Sequence, residues 1–66
     1  MAVVKVIEII AEGDSIEGAI TSGVAEASKT VRNIRSAYVE GTQAIVGPKG
    51  KVTKYRVNLK LSFVLE

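Results

Sequence analysis

Three acidic side chains, Glu12, Asp14 and Glu17, stand close together in the chain and form its best local oxygen cluster. Oxygen clusters suit a hard cation such as calcium, which takes about 6–8 oxygen ligands. This stretch does not have the spacing of an EF-hand loop, so a structural reading competes with the metal reading. Asp14 followed by Glu17 reads as a capping box, with Asp14 as N-cap and Glu17 at N3, while Glu12 stays in solvent. A second group, Lys54, Arg56 and Lys60, makes a basic stripe near the end of the chain. A single-stranded nucleic acid would need aromatic side chains on that same face for stacking. Tyr55 and Phe63 alternate onto the other face and read as core. The stripe is therefore read as solvated or ion-paired, with no nucleic-acid partner. For Arg56, a carboxylate such as Glu8 or Glu40 is the expected partner, because opposite charges on one sheet face commonly pair.

Catalytic chemistry finds little support. The chain has no cysteine and no histidine. That removes disulfides, thiolate metal sites and the usual general base. No serine is placed beside a base that would activate it. Gly13, Gly18 and Gly23 do not form a phosphate loop, because the last two fall inside a helical pattern. The reading is of a protein that is not an enzyme.

The elements that hold these residues are legible in the hydrophobic pattern. From Lys51 to Glu66, Thr53, Tyr55, Val57, Leu59, Leu61, Phe63 and Leu65 fall on one side. Lys54, Arg56, Asn58, Lys60, Ser62 and Glu66 fall on the other. Such alternation predicts one long strand with an apolar and a polar face, roughly 50 Å from end to end. Val3 to Ile10 is β-branched almost throughout and predicts a first strand with both faces largely buried. Ile16, Ala19, Ile20, Gly23, Val24, Ala27 and Val31 repeat at helical spacing and predict a helix from Ser15 to Arg32. The small residues in that stripe let the helix lie close on its partner. Lys29 and Arg32 suit its C-terminal dipole, and Asn33 suits the left-handed residue after it. Ile34 to Val46 predicts the second strand, with Gly41 marking a bulge. Gly47-Pro48-Lys49-Gly50 predicts a tight turn.

The order is β-α-β-β. The expected fold is α+β, a single domain over residues 1–66. Its three-stranded antiparallel sheet, in order 1-3-2, wraps on one helix with a right-handed crossover. A helix of about 18 residues spans roughly 27 Å, little more than half of the long strand. The uncovered apolar remainder must meet another copy or aggregate. A 66-residue chain buries only about 60% of its unfolded surface, which points the same way. An obligate homo-oligomer is therefore expected. The net charge of +2 is too small to imply nucleic acid. No apolar run reaches the length of a membrane span or a signal peptide. The expectation is a soluble cytoplasmic protein with no membrane partner.

Several stretches resemble the dodecins: Lys5 to Glu8, then Asp14-Ser15-Ile16-Glu17-Gly18-Ala19, then Ala27-Ser28-Lys29-Thr30-Val31-Arg32-Asn33-Ile34-Arg35, then Tyr55-Arg56-Val57-Asn58-Leu59-Lys60-Leu61-Ser62-Phe63. Their order and spacing carry the resemblance, which covers nearly the whole chain. It implies the β-α-β-β fold and a hollow homo-dodecameric shell. It also implies storage of a small ligand, commonly flavin, at subunit interfaces. In the family, a tryptophan just after the residue that matches Arg35 stacks on the flavin ring. Ser36 stands there in this chain. A family glutamine in strand three hydrogen-bonds the ring, and Arg56 stands in its place. Tyr38 lies two residues beyond Ser36 and on the same face, which makes it a candidate substitute for stacking; packing at a subunit contact is the favoured reading of it. The cofactor-binding candidates are thus Ser36, Tyr38 and Arg56. The two replacements argue against tight flavin binding. Some dodecin-like proteins without the tryptophan are associated with calcium, which keeps Glu12, Asp14 and Glu17 as metal candidates. The leading expectation is a non-catalytic shell that binds a small ligand or ion. The alternatives are a flavin (FMN or riboflavin) store, a calcium-binding shell, and a structural particle with no specific ligand.

Overall fold

The structure, a computed structural model, describes residues 2–65. Its elements are β1 (Val3–Gly13), α1 (Ile16–Ala27), β2 (Ile34–Val46) and β3 (Val52–Leu65). The sheet has order β1-β3-β2, and β3 runs antiparallel to both neighbours. This is the fold expected from the pattern. Glu66, expected at the end of the long strand, lies outside the described residues.

Alternation along β3 sets the core. Val57, Leu59 and Leu61 point to the helix side and are the largest fully buried side chains. Across the ladder they meet Ala11, Ile9 and Ile7 of β1 and Thr42, Val39 and Ala37 of β2. The helix lies over β1 and β3. It comes close because its inner stripe is small. Ala19 is fully buried, and a Cβ on Gly23 would lie 2.8 Å from Ala11 Cβ and 3.3 Å from Ile9 Cδ1. Both distances are below ordinary van der Waals contact, so bulk at position 23 would push the helix off the sheet.

Two boundaries differ from the expectation. β1 continues to Gly13 rather than stopping at Ile10. A Cβ on Gly13 would meet the Ala19 backbone nitrogen at 2.8 Å, so glycine lets the strand end pass beneath the first helical turn. The cap moves with it. Ser15, not Asp14, is the N-cap: its backbone is extended, and its hydroxyl accepts the Gly18 N–H at 2.9 Å. Asp14 precedes the cap and Glu17 falls at N2, so the capping box does not form.

The helix is also shorter, ending at Ala27 rather than Arg32. The Ser28 hydroxyl donates to the Val24 carbonyl at 2.8 Å, a local bond that competes with continued helix. The N–H groups of Thr30 and Val31 then share the Ala27 carbonyl, at 3.2 and 2.9 Å. Lys29 and Arg32 therefore sit in the exit turn, and the last helical turn carries no basic residue. Lys29 instead pairs with Glu26 at 2.9 Å. Asn33 does take the left-handed conformation, with φ 65°, but well past the helix end. Its carbonyl accepts the Val64 N–H at 3.2 Å, which ties the exit loop to the end of β3.

Gly41 marks a bulge as expected: pairing with β3 slips between Val39 and Gly41. The turn between β2 and β3 closes by a bond from Gly50 N–H to Gly47 O at 3.0 Å, and Gly50 has a φ of +76° that suits glycine.

The expectation that both faces of β1 are buried is overturned. The helix covers one face of the sheet, and on the other side Val4, Val6 and Ile10 are 55%, 52% and 63% exposed. The mismatch between helix and sheet is larger than expected. Twelve helical residues span about 18 Å, while the chain is 52 Å long and 14 Å thick. Its radius of gyration is 13.7 Å, against about 11 Å for a compact chain of this length. Among the described residues, no helix is long and apolar enough to cross a membrane.

Candidate functional site on the polar sheet face

The face of the sheet turned away from the helix carries most of the residues singled out from the sequence. Strand alternation brings Glu8 and Glu12 of β1, Ser36 and Tyr38 of β2, and Arg56 and Lys60 of β3 onto it. The register places Glu12 opposite Arg56 and Glu8 opposite Lys60. From the other side, Ser36 stands opposite Ser62, Tyr38 opposite Lys60 and Gln43 opposite Arg56.

Arg56 is ion-paired, as expected, but its partner is Glu12 and not Glu8 or Glu40. Its Nε donates to Glu12 Oε2 at 2.9 Å and its Nη2 to the same oxygen at 2.7 Å. Lys54 Nζ donates to the other oxygen, Oε1, at 2.8 Å. One carboxylate thus holds two cations. Those hydrogen bonds from Lys54 and Arg56 hold the Glu12 carboxyl below the usual carboxylate range. All three side chains remain partly open to water, so the pairing is screened by salt and contributes little to stability.

Lys60 completes the stripe. The bulge presents Glu40 to this face, and Lys60 Nζ lies 3.2 Å from its Oε2. The hydrogen bond to Glu40, then the charges of Glu40 and Glu8, raise the Lys60 ammonium above the usual lysine value. A shallow open cavity beside this group is lined by Glu8, Ile10, Glu40 and Asn58 together with Ile9 and Leu59. Each basic residue of the stripe is therefore ion-paired, Lys54 and Arg56 through the single carboxylate of Glu12 and Lys60 through Glu40, as the ion-paired reading expects.

Ser36 does not stand free on this face. Its hydroxyl is hydrogen-bonded to the Ser62 hydroxyl across the ladder. Tyr38 is 66% exposed on the same face. The structure brings Ser36, Tyr38 and Arg56 to one surface. It separates Glu12, on that surface, from Asp14, in the turn, and Glu17, in the first helical turn. Among the described residues, no group of three or more acidic side chains converges as a metal site.

Reasoning from the sequence missed Glu12 as the partner of Arg56, and missed that Lys54 shares the same Glu12 carboxylate. The signal was present. Glu8 and Glu12 lie four positions apart, an even interval, so both alternate onto one face once the strand runs beyond Ile10.

The dodecin family model matches residues 3–66. Among solved structures, the chain superposes on dodecin from Thermus thermophilus, in a tryptophan-to-phenylalanine mutant, with a TM-score of 0.90 and 31% identity, covering 100% of this chain and 98% of that one. Dodecin from Streptomyces coelicolor gives a TM-score of 0.91 at 29% identity, covering 98% of this chain and 93% of that one. Dodecin from Streptomyces davaonensis is alike in fold, with a TM-score of 0.91 at 23% identity over 98% and 96% of the two chains. No curated protein matches the chain.

Proposed function

The chain belongs to the dodecin family, and on that premise we propose that it is a non-catalytic subunit of a homo-dodecameric shell. The shell holds a small ligand or ion at its subunit interfaces, and tight flavin binding has been lost. One observation carries the ligand part of this reading. Ser36 and Arg56, at the positions the resemblance gives to ring stacking and ring hydrogen bonding, are both engaged within the chain. Ser36 bonds Ser62, and Arg56 bonds Glu12 through two of its nitrogens. A flavin would have to break the Arg56 pair to gain a ring contact, and Ser36 offers no planar surface over the ring.

Assembly is supported by what the helix leaves uncovered. Val46 and Val52 at one end of the molecule and Val3 and Leu65 at the other are large apolar side chains that stay exposed in the single chain. Val4, Val6 and Ile10 add an exposed stripe on the polar side of β1. Exposed apolar surface on this scale in a small chain marks contact with another copy.

A second reading, a flavin store, is favoured by Tyr38 alone. It is exposed and shares the face of Ser36, where an aromatic ring can stack on a planar ligand. Titrating the assembled protein with riboflavin separates the two. Weak or absent quenching of riboflavin fluorescence is expected. Strong quenching at nanomolar protein, abolished by Tyr38→Ala, supports the flavin store instead.

A further inference from the structure

We propose that Glu12 is a built-in occupant of an oxyanion seat formed by Lys54 and Arg56. A phosphate or carboxylate group of a ligand binds this face by displacing it. This deepens the reading above and rests on it in one respect, that the polar sheet face is where a small ligand is met.

The geometry is that of an anion clamp. Lys54 and Arg56 are two residues apart on β3, so both project from the same face. Their donors converge on one carboxylate from two directions: Nζ to Oε1 at 2.8 Å, Nε and Nη2 to Oε2 at 2.9 and 2.7 Å. A guanidinium edge with an ammonium beside it is the donor set that recognises carboxylate and phosphate groups. Two cations face one anion, so the seat keeps a net positive charge when Glu12 fills it. On the far side of Arg56 the paired residue is Gln43, a neutral side chain that adds no competing carboxylate.

The occupant can also leave. Glu12 sits near the end of β1, at the outer edge of the sheet, and its side chain is 37% exposed. A change of χ angles moves the carboxylate into water without disturbing the ladder. Lys54 and Arg56 are anchored on the central strand and stay in place. The other cation of the stripe, Lys60, is held by Glu40 at the bulge, with Glu8 nearby. Two carboxylates thus surround one cation there, and the charge balance is opposite to that around Glu12. The two ends of the stripe differ, and only the Lys54–Arg56 end is electrostatically suited to an added anion.

The test uses the assembled protein with inorganic phosphate and, separately, acetate as probes, at constant ionic strength set with chloride. Binding is followed by calorimetry and by the Arg56 Nε–H resonance. Glu12→Gln keeps the shape and removes the competing charge. It is expected to bind phosphate or acetate roughly tenfold more tightly than wild type, the scale of one exposed charge-assisted bond. The probe that gains more tells a phosphate from a carboxylate source. Glu12→Gln combined with Arg56→Gln is expected to lose the gain. Equal affinity in wild type and Glu12→Gln overturns the proposal, as does a gain that survives removal of Arg56. Should Glu12→Gln fail to assemble, wild type still decides it. The Arg56 resonance is expected to shift at high phosphate and not in matched chloride, and no difference between the two salts counts against the seat. Riboflavin binding to Ser36→Trp with Arg56→Gln reports on the face as a ligand surface without using the seat, so failure of that reading is distinguishable from failure of this one.

Discussion

Glu12 and Arg56 face each other across β1 and β3, and the guanidinium holds a single carboxylate oxygen through Nε at 2.9 Å and Nη2 at 2.7 Å. This contact ties the edge strand to the central one near the end of β1. It also occupies Arg56, where the resemblance implies a ring-binding glutamine, so in the proposed reading structure and ligand choice are coupled through one side chain.

The pair makes stability depend on acid. The folded-state pKa of Glu12 is lowered by Lys54 and Arg56. Its contribution is therefore fully present above the ordinary carboxylate pKa and is lost as pH falls through the lower folded value. Glu12→Gln lacks that contribution at every pH. The urea midpoints of wild type and Glu12→Gln are expected to differ modestly at neutral pH and to converge in acid. A gap that stays constant from neutral pH to pH 3 would mean that the carboxylate does not titrate against its partners.

Gly23 sets the distance between helix and sheet. Replacing a helical glycine by alanine gains about 1 kcal/mol of helix propensity. Overpacking a tight contact costs about 1–3 kcal/mol, and the new Cβ would meet Ala11 Cβ at 2.8 Å and Ile9 Cδ1 at 3.3 Å. Gly23→Ala is therefore expected to lower the denaturation midpoint despite the better propensity. Ala27→Leu, on the same stripe and packed against the core, is expected to do the same. A raised midpoint for Gly23→Ala would show that the helix can stand off from β1.

Phe63 lies on the apolar face of β3, between Lys5 and Ile34, and is only partly covered. In the proposed shell its remaining surface meets another copy. Phe63→Asp places a charge in that contact, and burying an unpaired charge is costly. The variant is expected to lose assembly, read by light scattering, and to lose folding with it. A variant that assembles like wild type would remove Phe63 from the interface.

The flavin argument has its own variant. Ser36→Trp with Arg56→Gln installs both groups that the resemblance implies and releases Glu12 to Lys54. Stacking contributes about 0.5–1.5 kcal/mol beyond the buried area. The double variant is expected to quench riboflavin fluorescence where wild type does not. Each single change is expected to do less than half, because both groups act on one ring. Equal quenching by wild type and the double variant would contradict the assignment of these positions.

Much of this fold was legible because β3 alternates without a break and pairs with β1 without a register shift. The alternation in β3 fixed its two faces, and the β-α-β-β order with one long strand fixed the sheet order. What was misplaced followed from local competition. Val31 continues the helical spacing, so periodicity alone carried the helix to Arg32. The chain instead turns at Ser28, whose hydroxyl takes the Val24 carbonyl. Glu12-Gly13-Asp14-Ser15 looked like a break throughout, although β1 uses its first two residues as strand. Ending the strand at Ile10 put Glu12 in a loop, and its pairing with Arg56 could not then be seen. That Ser36 and Arg56 stand at ligand positions is implied by the resemblance alone. Their mutual placement on one face came from alternation, but their bonds to Ser62 and Glu12 depend on register, which the sequence does not state.

The most direct test of the whole reading is native mass spectrometry on the protein as isolated, because stoichiometry and retained ligand come from one spectrum. A dodecamer without bound flavin mass is the expected result, with any smaller retained mass identifying the ligand or ion. A folded monomer at micromolar concentration would contradict the shell, and a dodecamer carrying flavin would contradict the loss of the flavin site.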